Sequence, residues 1–258
     1  MNKKLLAAMV LTLGSSSAMA GVCDLLPSQP ALKAALISAV AQSNGGFGLN
    51  MWATLVNRDG IVCAVAFSGA NSGSQWPGSR VISAQKANTA NAFSLDAVAL
   101  STANLFSAVQ PGGTLYGLQF SNPVDTSVAY RGNSALYGTA TDPMVGGKVG
   151  GVNVFGGGLA LYTSGHVIIG AVGVSGDSSC ADHNISWRVR TNLNLNHLTG
   201  ITGFSGDSTR PDNIVYDITG TTLQPTINSA NNSAGGWGHP SCTADATTIA
   251  ATLPVVQP

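Results

Sequence analysis

The chain has 258 residues, 32 of them glycine, and is only 9% charged, with 11 Lys plus Arg set against 11 acidic residues that are all aspartate. Balanced charge argues against an electrostatic nucleic-acid binder, and a hydrophobic content of 44% argues against a disordered chain. The length allows one large domain, or one ordinary domain with a long appendage.

Residues 1–20 read as a signal peptide. Lys3 and Lys4 precede the apolar run from Leu5 to Leu13, and Ala18-Met19-Ala20 supplies small residues at the cleavage positions. The run is well short of the roughly 20 residues a spanning helix needs, so no membrane span is expected, and the product is expected to be periplasmic or secreted. Four cysteines follow, Cys23, Cys63, Cys180 and Cys242, an even count that in an exported protein reads as up to two disulfides. Three pairings are open. The expectation is Cys23 with Cys63 and Cys180 with Cys242, the second tying the C-terminal segment to the body. No CxxC occurs, which argues against zinc, and no CxxCH, which argues against covalent haem.

From Ser28 as N-cap, Pro30 opens a helix whose Leu32, Leu36 and Val40 recur every four positions until Gly45-Gly46. Residues 50–56 and 61–67 are two β-rich runs around Asn57-Arg58-Asp59-Gly60, a hairpin signal. A long alanine-rich helix is expected from about Val81 to Val109, ended by Pro111-Gly112-Gly113. Residues 114–148 look irregular. Strands return at 151–154, 159–162 and 166–174, followed by a helix over about 178–193. Beyond Asn194 the chain is rich in Asn, Thr, Ser and Gly, and reads as an extension packed on the body. The string GVSGDS at 173–178 echoes as GFSGDS at 203–208, too little for a repeat architecture. Helices alternating with hairpins imply an α+β arrangement, an antiparallel sheet covered by helices.

The stretches ATLVNRDGIVCAVAFSGA, PGSRVISAQKANTANAF and GGVNVFGGGLALYTSGHVIIGAVGVSGDS, with Asp182 downstream, resemble the GlcG/HbpS-like family, often labelled haem-binding or haem-degrading. The resemblance spans about residues 30–193 and places the domain at 21–193, with an insertion at about 114–148 and an extension at 194–258. It implies a profilin-like sheet sandwiched by helices, self-assembly into a homo-oligomer, and haem or a related tetrapyrrole as ligand. The insertion and the extension depart from the family pattern.

On the helix after the GVSG loop, Ala181, Ile185, Val189 and Leu193 form one stripe, which is expected to face the sheet. His183, Trp187 and Arg190 then fall on the opposite side. They suit another subunit, the extension, or a flat ligand, for which His183 would ligate iron, Trp187 form an aromatic wall and Arg190 hold a propionate. Lys86 is placed to pair with Asp182 or with an anionic ligand, and otherwise reads as a surface lysine. Ser175, Gly176 and the amides after them precede a helix N-terminus, a setting for an anionic group or simply a tight turn. His166, His197 and His239 read as surface histidines, and these or Met144 are alternative iron ligands. As a nucleophile elbow the GVSG loop fails, because GxSxG finds Asp177 where it needs glycine, so no catalytic residue is assigned. A serine hydrolase through Ser178 or Ser208 lacks an Asp–His pair placed to activate it. The reading is an exported, oligomeric binding protein for haem or a related tetrapyrrole. The alternatives are an interaction module with no small ligand and a haem-degrading enzyme.

Overall fold

The computed structural model describes residues 20–218 and 233–258; the expected signal peptide lies outside the described residues but for its last position. The elements are α1 (Ala20–Cys23), α2 (Gln29–Val40), β1 (Trp52–Asn57), β2 (Val62–Phe67), α3 (Ser79–Phe93), α4 (Leu118–Ser121), α5 (Thr126–Ala129), β3 (Gly158–Tyr162), β4 (Ile168–Ser175), α6 (Ser179–Asn192) and α7 (Ala244–Ala251). Two hairpins, β1–β2 and β3–β4, join through antiparallel pairing of β1 with β4, giving the order β2-β1-β4-β3. Helix α3 lies on one face of this sheet, and α2 and α6 on the other. The architecture is therefore α+β, an antiparallel sheet between helical layers.

Because both faces are covered, the central strands are buried at every position and read as continuous apolar runs rather than alternating ones. Trp52, Val56, Val65 and Phe67 pack with the alanines 84, 87 and 90 of α3, while Ala53, Leu55, Val172 and Val174 pack with Leu32, Leu36 and Ile185. The alanine stripe lets α3 approach closely. A Cβ on Gly173 of β4 would stand 1.9 Å from the Ser83 carbonyl, so glycine is required there. The same interface holds a hydrogen bond between the Thr54 and Ser83 hydroxyls, 2.7 Å apart.

Helix α3 ends at Phe93 rather than near Val109. The following residues bond to side chains instead of continuing the ladder: the Ser94 hydroxyl takes the amide of Leu100, Asn104 takes that of Ser101, and Asp96 reaches across to the amide of Ile168. The expected strand at 151–154 is not formed, Gly158 belongs to β3 rather than to a turn, and α7 is a helix the sequence did not signal. Ser28 stands at the N-cap of α2 without a side-chain capping bond.

The insertion is pinned by one aspartate. Asp142 accepts both from Arg80 of α3 and from the amides of Gly138 and Met144, and the Arg80 guanidinium lies over the Tyr137 ring at 3.5 Å. Both expected disulfides are present, Cys23–Cys63 and Cys180–Cys242.

Candidate functional site

The candidate residues meet at the N-terminal half of α6. Strand β4 turns into this helix at Gly176, where a Cβ would stand 2.6 Å from the Asn50 carbonyl; the chain passes too close for any other residue. Ser175 is the last residue of β4, buried opposite Trp52. Ser178 caps α6 by accepting from the amide of Ala181. Two amides of this turn are already taken by carboxylates of the chain itself, that of Asp177 by Asp182 and that of Ser178 by Asp177, which also accepts from Phe47 and Leu49 of the neighbouring loop.

Lys86 reaches this turn from α3. Its ammonium is buried and donates to Asp182 at 2.6 Å and to the Val174 carbonyl at 3.2 Å, so it is an interior ion pair rather than a surface lysine. Burial pushes the Asp182 carboxyl up to about 6, with Lys86 pulling it back down.

His183, Trp187 and Arg190 are each fully buried, and each is met by the chain beyond Asn194. The His183 Nε2 lies 3.1 Å from both Asn213 Oδ1, to which its N–H donates in one tautomer, and the amide of Ile214, from which it accepts in the other, while its Nδ1 has no partner among the described residues. Trp187 donates to the Pro254 carbonyl at 2.9 Å, and Arg190 grips Asp212 with two bonds of 2.6 and 2.9 Å while lying over the Trp187 ring at 4.4 Å. Burial lowers His183 to about 4, so the imidazole is neutral at pH 7. Of the stripe expected to face the sheet, Ile185 and Val189 join the core formed with β1, β3 and β4, whereas Ala181 abuts Gly46; Ile185 also borders a cleft beside the 42–49 loop.

Of the remaining histidines, His239 and His197 depart from their expected surface positions. His239 is buried against Phe106, ring centroids 5.0 Å apart, and burial lowers it to about 4; its Nε2 has no partner among the described residues. His197 is buried against the carbonyl of Pro258, and His166 is half-buried with a positive φ in the β3–β4 turn. Met144 sits in the core beneath α3.

Asp212, Asn213 and Pro254 were not foreseen. They lie in polar, aperiodic sequence, and nothing local distinguishes them from ordinary loop residues. The chemistry of the His183, Trp187 and Arg190 set suits an iron porphyrin, but the space does not. His183, Trp187 and Arg190 are fully buried, and they line neither of two cavities, of about 250 and 360 Å³, that lie at the 42–49 loop and at residues 200–211. The described residues also hold no cluster of three or more His, Cys or Asp placed to bind a metal ion, and no helix long and apolar enough to cross a membrane.

The model of the haem degrading protein HbpS-like family matches residues 31–189, more than half of the chain and all of α6 but its last turn. The chain belongs to the HbpS-like family. Among solved structures, a PduOC:heme complex is 23% identical with a TM-score of 0.44, covering 64% of this chain and 91% of its own. The Klebsiella pneumoniae protein ORFY is 24% identical with a TM-score of 0.43, covering 65% and 90%. A double mutant of Streptomyces reticuli HbpS is 14% identical with a TM-score of 0.38, covering 75% and 99%. No curated protein matches the sequence. The HbpS-like match stops inside α6, so the segment that covers His183, Trp187 and Arg190 lies outside it.

Proposed function

We propose that the protein is an exported, oligomeric binding protein for haem or a related tetrapyrrole, with His183 as the iron ligand, Arg190 for a propionate and Trp187 as the aromatic wall. The observation that carries the reading is the family match, which takes in His183 and Trp187 themselves. It is supported by the ring of His183, which is neutral and, in the tautomer whose Nε2–H donates to Asn213 Oδ1, keeps the Nδ1 lone pair without a partner among the described residues, as a metal-ligating imidazole requires. Among the described residues no nucleophile–base pair is assembled at α6, which disfavours a hydrolase. Titration of haemin into residues 21–258, with His183→Ala alongside, tests it. The expected result is a saturable, stoichiometric Soret band that the variant loses. A band kept by the variant moves the ligand to His166, His197, His239 or Met144, and no saturable band in any form refutes haem binding.

An interaction module with no small ligand is the second reading, favoured because the chain's own extension fills the face a ligand would use. On that reading Trp187→Ala leaves the mass by light scattering unchanged, because the indole contacts the extension and has no exposed surface to offer another subunit.

A further inference from the structure

The contacts on α6 mimic a ligand. Where a propionate would meet Arg190 there is the Asp212 carboxylate; where an acceptor would meet Trp187 there is the Pro254 carbonyl; His183 is met by the backbone amide of Ile214 and the side chain of Asn213. This cover is less well hydrogen-bonded than its burial calls for. Of the buried polar side-chain atoms without a partner among the described residues, nearly all lie on α6 or on the segment above it, including His183 Nδ1, Asn184 Oδ1, Ser186 Oγ and Arg190 Nε on the helix and His197 and His239 Nε2 over it. Buried groups left unpaired favour exposure to water, so opening relieves a penalty that, among the described residues, is concentrated at this interface.

The cover is also tied down covalently, by Cys180–Cys242 at the first turn of α6. Its two sulfurs are unequal in access: Cys180 is fully buried, whereas Cys242 belongs to an exposed turn next to the N-cap of α7. We propose that residues 195–218 and 233–258 form an autoinhibitory strap over α6, latched by Cys180–Cys242, and that reduction of this disulfide opens the His183, Trp187 and Arg190 face to a planar anionic ligand. The inference rests on the haem reading for the identity of that ligand. The reductant is a dithiol. Its thiolate attacks Cys242 Sγ, the S–S bond breaks, and Cys180 leaves as a thiolate that takes up a proton; the second thiol of the donor then releases Cys242 as a thiol, and the donor ends as a disulfide.

The test uses the full mature chain, oxidised, reduced with a phosphine, and as the Cys242→Ser variant, which keeps Cys23–Cys63 intact. Two quantities are followed in each: the rate of haemin uptake from the Soret band, and hydrogen exchange of peptides from 179–192 and 233–258. Reduction and Cys242→Ser are each expected to speed uptake at least tenfold and to raise exchange in both regions. Uptake and exchange that are the same in all three forms overturn the strap and leave the haem reading standing. Faster exchange with no haemin uptake in any form supports the strap and overturns haem as its ligand.

Discussion

Replacing Asp212 by asparagine removes a charge from the interior while keeping the shape of the side chain. The carboxylate accepts two bonds from the Arg190 guanidinium, at 2.6 and 2.9 Å, and both side chains are fully buried. The variant leaves the guanidinium charge uncompensated and turns an amide donor toward another donor, a change that costs about 3–5 kcal/mol. Contact with the Trp187 ring at 4.4 Å returns part of this, which favours the lower figure. For a chain of this size about 3 kcal/mol lowers Tm by roughly 6–12 °C. Urea and thermal unfolding followed by circular dichroism and tryptophan fluorescence measure it. Combining Asp212→Leu with Arg190→Met removes both charges and is expected to recover most of the loss, since a buried pair is itself little better than an apolar one. A single-variant cost below about 1 kcal/mol, or a double variant no more stable than the single, refutes the assignment of this pair as the anchor of the extension.

Acid is expected to weaken the fold. His183 and His239 are held at about 4 by burial against an ordinary value of 6.5, so the unfolded chain binds more protons between those limits and stability falls as pH drops through that window. Asp182, raised to about 6, acts in the opposite sense between 6 and 3.8; at pH 4 each histidine contributes a loss of roughly 3 kcal/mol and Asp182 a gain of about 2, leaving a net loss of about 4. Urea midpoints that do not change between pH 7 and pH 4.5 would contradict this. Gly173→Ala is expected to cost about 3 kcal/mol or more, because the new methyl meets the α3 backbone, whereas Gly78→Ala, with nothing within 4 Å of the new Cβ, is expected to stay within about 0.5 kcal/mol; equal midpoints for the two would refute the close approach of α3. Export predicts that N-terminal sequencing of the secreted product begins at Gly21, and a product beginning at Met1 would count against a cleaved signal.

Much of the domain was legible because its signals are local. The Asn57–Gly60 turn, the two β-rich runs, the alanine-rich stretch of α3 and the helix beginning near Ser178 each rest on signals that act over a few residues, and each appears where the pattern places it. The ends of elements were less legible. Helical pattern continues past Phe93, but Ser94, Asp96 and Asn104 find partners that lie far along the chain or in turns, and these bonds outcompete the ladder. The cysteine pairing was an expectation among three, and both disulfides are those expected.

The sequence by itself determined that His183, Trp187 and Arg190 share one side of a helix, because a period of 3.6 residues allows nothing else. It also determined that these residues need a partner, since an indole, a guanidinium and an imidazole on one face are not left to water without consequence. Which partner they have was decided by tertiary structure alone. Asp212, Asn213 and Pro254 come from 22 to 67 residues downstream, in a segment with no periodicity to mark it, and their role exists only once the chain folds back over α6. Charge pairing and burial are properties of position in space, and no spacing along the chain encodes them.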